Sequence, residues 1–422
     1  MTEEKTGIPP HIKRNTLYLA LVQALVATGF QLIPSLGSLI MLRFTDVLAL
    51  IGATLSMGKI TGPLMSYPAG LLADRKGRKS VLLLGVVLYG IGALLIYYSV
   101  ISISLNVFMV GLVVNGLGMG ALRQVTVAAI DMFPRRLKAE GMGYVMTGTS
   151  LGSIGSPLLV WATSNYAANH GMDELALPWL VIPFLMVLSG VLIYMIKPDP
   201  LEIARNITDH YPGEVISKGK QAVEQSKVKI GELLRELPIK ISLANNALSF
   251  AVMSMVMSLS ALILRQNKYS VTLISICIGL HVFGMFGFSS VIGRLADRMG
   301  RKKMMYIGSV VLGISGFITP LTSNYLIVTT GLFFVGLGWS INNVATVAML
   351  GDSTPPTSMG QMMGVNQLIG GAGSLLVPAI GGYLAQNFGF PAVGTACVLI
   401  TVPIMFLASK LRETSPGVYD HS

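Results

Sequence analysis

Apolar residues in this chain neither alternate nor recur at helical spacing; they come in blocks of about 20, the number a helix needs to cross roughly 30 Å of hydrocarbon. Charged residues or Pro and Asn mark the breaks. The blocks fall at 16–40, 46–70, 80–99, 107–131, 141–165, 178–196, 241–264, 271–293, 303–321, 325–350, 361–386 and 389–409. They predict twelve membrane-spanning helices in an all-α integral membrane fold. One long polar connection, residues 197–240, separates a six-helix bundle at 16–196 from a second at 241–409. Polar ends of 1–15 and 410–422 complete the chain.

Charge sets the orientation of these spans. With the N-terminus in the cytoplasm, 25 of the 30 Lys and Arg lie in inside segments and three, Arg43, Arg265 and Lys268, lie outside. This asymmetry is the positive-inside pattern, so both termini are expected in the cytoplasm. The net charge of +11 then reports orientation, and no nucleic-acid partner is expected. Cys277 and Cys397 both fall in predicted spans, which excludes a secreted disulfide framework. The first apolar block, about 25 residues long, has no small-residue cleavage site near its end and is expected to remain as a helix.

The bundles repeat one another. GLLADRKGRKSVLLLG at 70–85 returns as GRLADRMGRKKMMYIG at 293–308, with nine of sixteen positions identical. Arg43 and Arg265, and Gln23 and Asn245, are each 222 positions apart, and GLGMGALRQVTVAAI at 116 echoes GLGWSINNVATVAML at 336. Parallel six-span repeats are a known transporter plan, with the solute site near the bilayer midplane.

With these residues the chain resembles the major facilitator superfamily, from about residue 15 to 410, and within it the bacterial drug-efflux, antiporter-like branch. The loop between spans 2 and 3 carries the family's charged signature at Gly70, Leu72, Asp74, Arg75, Gly77, Arg78 and Lys79, repeated at Gly293, Asp297, Arg298, Gly300, Arg301 and Lys302. The resemblance implies that Asp74 faces the start of span 11, that Asp131 joins the same charge cluster, and that the cluster latches the cytoplasmic side. The arginines also have a plainer reading, as positive-inside anchors. In span 5, Gly152, Ser156 and Pro157 resemble a degraded antiporter element, with serine in place of the family's glycine before the proline. Where span 4 of the family commonly carries an arginine, this chain has Leu112.

Ionisable groups inside a span are costly and default to functional candidates. Here they are Lys59, Arg123 and His281, joined by the cavity-side amides Gln23, Gln31, Asn245, Asn246, Asn342 and Asn343. Their positive balance favours an organic anion over a cationic drug. Arg123 has an alternative as a partner of Asp131, and His281 as a buried neutral imidazole. Without a mid-span carboxylate, coupling stays open among proton exchange, anion exchange and facilitation. A second stripe, Met253, Met257, Cys277, His281 and Met285, suits Cu(I) and resembles a copper-importing branch of the family.

The leading reading is a secondary transporter exporting an organic anion or amphipathic compound by alternating access. A metal importer and a non-transporting sensor or assembly protein are the alternatives. No P-loop and no catalytic constellation accompanies the spans, so neither ATP drive nor an enzyme is expected. The expected setting is the plasma (inner) membrane, as a monomer without a cofactor, and H+ is a candidate coupling ion.

Overall fold

The computed structural model describes residues 8–134, 138–211, 230–354 and 359–411. Among them there is no strand. The helices are α1 Pro10–Phe30, α2 Leu32–Met41, α3 Leu48–Lys76, α4 Arg78–Ile101, α5 Leu105–Leu122, α6 Gln124–Asp131, α7 Lys138–His170, α8 Leu177–Met195, α9 Pro200–Arg205 and α10 Ile207–His210. The second half contributes α11 Ile230–Leu233, α12 Leu237–Gln266, α13 Val271–Phe286, α14 Ser289–Met299, α15 Arg301–Ile318, α16 Tyr325–Ser353, α17 Met359–Phe388 and α18 Phe390–Ser409.

Every predicted span falls on helix, and ten among the described residues are long and apolar enough to cross a membrane. Outside that set are α7, rich in Gly, Ser and Thr, and the shorter pair α13 and α14. Three spans that the sequence reads as continuous are interrupted. Span 1 breaks at Gln31, because Pro34 has no N–H for the carbonyl of Phe30 and the α-ladder fails there. Span 4 breaks at Arg123 and span 8 at Gly287 and Phe288.

The chain divides into two compact units, residues 1–32 with 61–223 and residues 33–60 with 224–422. In the first unit α1 packs on α7 and α8, and α4 on α5 and α8. In the second, α12 packs on α17 and α18, and α15 on α16 and α18. One packing plan is therefore used twice, as the repeat requires.

Glycines make the close contacts possible. A β-carbon at Gly118 of α5 would meet the backbone of Tyr89 and come within 2.9 Å of the Gly85 carbonyl oxygen on α4. Its counterpart Gly338 on α16 meets Leu312 N at 2.7 Å and Gly308 O at 3.1 Å on α15. Without a hydrophobic drive between helices in lipid, such small-residue contacts carry much of the association. The C-terminal end of span 1 and the N-terminal end of span 2 belong to the second unit: Leu55 would lie 2.8 Å from a β-carbon at Gly37, and the Leu48 amide donates to Gln386 Oε1 at 3.3 Å.

Candidate functional site

The doubled charged stretch forms a hinge in each unit. In the first, α3 ends at Lys76 and α4 begins at Arg78, with Gly77 between them at φ +88°. That left-handed conformation suits glycine, and space demands it too, since a β-carbon there would sit 2.8 Å from Asp199 Oδ2. Asp199 accepts from the Arg78 and Lys79 amides, both at 3.1 Å, and so caps the N-terminus of α4, where a carboxylate is favoured by the helix dipole. It also accepts from Leu201 N at 2.8 Å as the N-cap of α9.

Arg78 is the centre of the cluster. Only 8% exposed, it reaches Asp131 Oδ2 at 2.7 Å through Nε and Asp74 Oδ1 at 2.9 Å through Nη1. The Lys79 ammonium donates to the carbonyls of Tyr194 (2.9 Å) and Ile196 (2.8 Å), closing the C-terminal end of α8. Burial pushes Lys79 below its ordinary value of 10.5, with Asp199 opposing that shift and Lys197 reinforcing it. Arg75 is exposed, and a β-carbon at Gly70 would have only Gln124 Nε2 near it, at 3.7 Å.

The second unit copies this arrangement in part. Gly300 sits at φ +93°, Arg301 Nε meets Asp352 Oδ2 at 3.2 Å, and Arg301 Nη1 donates to Ala296 O at 2.8 Å. Lys302 donates to the carbonyls of Ser409 and Leu411, both at 2.9 Å, as Lys79 does for α8. Arg298 is exposed and Gly293 has open space around it, while the side chain of Asp297 lies outside those described.

The candidates within spans separate into committed and free groups. His281 is fully buried on α13 and hydrogen-bonded through Nδ1 to Leu332 O of α16 at 2.7 Å. A carbonyl oxygen only accepts, so Nδ1 carries a proton in that bond. Asn245 of α12 donates to Thr346 Oγ1 (2.7 Å) and Asn342 O (3.3 Å), and Asn246 donates to Asn366 O (2.8 Å). With its amide oriented to satisfy both ends, Asn342 donates to Asn245 Oδ1 and Met305 O and accepts from Ser249 Oγ. These amides bind helix to helix. Gln23 likewise donates to Thr149 Oγ1 of α7 at 3.1 Å. Gln31 is buried with both amide atoms unpartnered, and Asn343 is half-buried with no partner among the described residues.

Arg123 differs from all of these. It stands at the junction of α5 and α6, accessible to solvent, with no hydrogen bond or ion pair among the described residues. Asp131, its one carboxylate candidate, is paired with Arg78. An unpaired arginine in a span faces the bundle interior or a water-filled cavity. Lys59 lies on α3, and its side chain lies outside those described.

The span 5 element is occupied by packing. A β-carbon at Gly152 would be 2.5 Å from Ala27 Cβ and 2.8 Å from Ala24 O, and Gly148 and Gly155 also abut α1. Ser156 is buried beside Pro157, the proline inside α7. The copper-stripe residues lie on α12 and α13. Cys277 and His281 are buried on α13, which packs on α16, with His281 bonded to that helix; Met253 is buried on α12, and Met257 and Met285 are half-buried. Among the described residues no three His, Cys, Asp or Glu gather as a metal site.

Sequence reasoning missed the groups that lock the hinge. Asp199 lies 121 residues from the amide it caps, beyond any local signal. The lysine caps of α8 and α18 were legible only as a repeated position. A further pair ties the N-terminus down: His11 Nε2 lies 3.1 Å from His210 Nδ1. Burial, His210 and then Arg14 lower the His11 pKa from 6.5. The unfolded chain then binds more protons just below pH 6.5, so stability falls as pH drops from 6.5 to the lowered value and levels off beneath it. His11→Gln should flatten that part of a pH–melting profile.

Two helical units on one packing plan, each with a charged hinge, make up a multi-pass membrane protein. The chain belongs to the major facilitator superfamily, whose family model matches residues 19–245 and 241–420. It is 27% identical over 409 residues to the uncharacterized MFS-type transporter YdeG of Bacillus subtilis strain 168, covering 93% of this chain and 91% of that one. It is 24% identical over 362 residues to the riboflavin transporter RfnT of Brucella anthropi, with 85% of each chain covered. The inward-open structure of the xylose transporter XylE from E. coli superposes with a TM-score of 0.72 at 15% identity, over 96% of this chain and 97% of that one. The protein is accordingly a secondary transporter.

Proposed function

We propose that the solute is a small organic anion and that Arg123 is its principal charged contact. Arg123 carries this reading: a guanidinium held inside a span with no counter-ion among the described residues has its forked donors available to a carboxylate or phosphate. The charged hinge then serves as the cytoplasmic latch, with Arg78 as its buried centre and Asp74, 64% exposed, as the member that can change partners.

A thermal-shift and uptake screen of the purified protein with mono- and dicarboxylates and organic phosphates tests the proposal. An anion should stabilise the wild type, and Arg123→Ala should weaken that binding by about tenfold or more, the equivalent of 1.4 kcal/mol. Arg123→Lys should recover part of the loss, keeping the charge without the fork. If no anion stabilises the protein, or if Arg123→Ala responds as the wild type does, the anion reading fails.

A further inference from the structure

Two half-buried imidazoles meet where the polar connection returns to the start of α1. His11 Nε2 and His210 Nδ1 face each other at 3.1 Å across 199 residues of chain, with ring centroids 5.0 Å apart and planes tilted by 53°.

The rings do not depend on each other for their place. His11 stands in the first turn of α1, next to the fully buried Ile12, and just beyond it Arg14 Nη2 and Asn15 Nδ2 both donate to the carbonyl of Lys197, at 3.0 and 3.2 Å. His210 closes α10, and the residue after it, Tyr211, is 1% exposed and donates to Met132 O at 3.2 Å. The chain is thus anchored beside each ring, and a ligand shared by the two nitrogens does not have to order them first.

The spacing is that of a chelate. Two imidazole nitrogens bound at about 2.0–2.1 Å to one tetrahedral metal stand roughly 3.3 Å apart, close to the separation of this pair. Imidazole suits the divalent ions of zinc, copper and nickel. Among the described residues no third His, Cys, Asp or Glu joins the two, so the site is an open one, with its other positions facing solvent. Burial, then His210 on α10 and Arg14 on α1, hold the His11 pKa below 6.5, which keeps that ring neutral and able to ligate at neutral pH. Arg14 is exposed, and solvent screens its charge from a bound cation.

We propose that His11 and His210 form a binding site for a divalent transition-metal ion of the Zn2+, Ni2+ or Cu2+ class, which staples the connection between the halves to α1. Each neutral ring keeps its one proton on the nitrogen facing away, Nδ1 of His11 and Nε2 of His210, and the two facing lone pairs go to the metal. A protonated ring must first release its proton, so affinity falls as the pH drops through the histidine range. The stapled segment is the one that brings Asp199 to the start of α4 and Arg205 to the Asp74 carbonyl. The site is independent of which solute is carried.

The full chain in nanodiscs, free of any polyhistidine tag and titrated with Zn2+ near neutral pH, tests the proposal. Its melting temperature should climb with Zn2+ concentration, as mass action on a site of the folded chain requires. Loss of even an outer-shell partner costs a metal site about 10–100-fold in affinity, so His11→Gln and His210→Gln should each weaken the response by about tenfold or more. His170→Gln, which removes an exposed histidine stacked on Tyr166, should leave it unchanged. With Cu2+ as the probe, pulsed electron paramagnetic resonance should show two imidazole ligands in the wild type and one in either variant. If the variants do not fold, the wild-type Cu2+ spectrum decides, and fewer than two imidazoles at the metal overturns the proposal. A wild type that does not respond to Zn2+, or a response that survives either substitution, overturns it as well.

Discussion

Asp131→Ala should lower stability by about 2–3 kcal/mol and abolish most transport. Arg78 is 8% exposed, and the substitution removes the closer of its two carboxylates, at 2.7 Å, leaving it to Asp74 alone. Removing one partner from a buried pair costs about 3–5 kcal/mol; the estimate is reduced because the Asp131 side chain is 17% exposed. Asp74→Ala breaks an exposed i,i+4 pair worth about 0.3–0.5 kcal/mol. Melting curves and uptake measured together therefore separate two roles. If Asp74→Ala melts like the wild type yet transports poorly while still binding solute, Asp74 acts in the conformational cycle. Unchanged uptake would reduce it to a helix-surface pair. In the second unit, Asp352→Ala should matter less, because Arg301 keeps its bond to the Ala296 carbonyl.

Gly118→Leu should yield no folded protein. Even the first carbon of the new side chain falls on the Tyr89 backbone and 2.9 Å from the Gly85 carbonyl oxygen, contacts that no rotamer change relieves. Gly118→Ala, which adds that carbon alone, should cost about 1–3 kcal/mol or more as α4 and α5 are forced apart. Gly143→Ala is the control: nothing lies within 4 Å of its added carbon, and the helix gains roughly 1 kcal/mol of propensity. Recovery of monodisperse protein and its melting temperature decide the comparison. Near-normal stability of Gly118→Leu would mean that α4 and α5 do not pack as described.

The contrast between these positions shows what was legible in the sequence. Membrane spans were, because backbone groups in lipid must bond within their own segment, which leaves helix as the answer for each apolar block. The repeat was legible as well, and it singled out Gly77 and Gly300, both of which adopt positive φ. The local breaks were harder: Pro34 marks the kink in span 1, but apolar content runs straight through it. The amides were harder still. Asn245 and Asn343 look alike in a list of polar residues, yet one is satisfied by Thr346 and Asn342 while the other has no partner among the described residues. Which face of a helix a residue occupies was decidable; whether another helix brings it a partner was not. Asp199 is the extreme case, with a role created by the return of the chain to the start of α4.

That return has a consequence for cutting the protein in two. Asp199 caps α4, Arg205 donates to the carbonyl of Asp74 at 3.3 Å, and the Tyr211 hydroxyl donates to Met132 O at 3.2 Å. A gene split after residue 196 would hand these three to the wrong fragment and leave the first half with an uncapped helix. A split placed after residue 211 lets the first fragment fold with its own clamp, and two plasmids built that way should complement each other where the earlier cut does not.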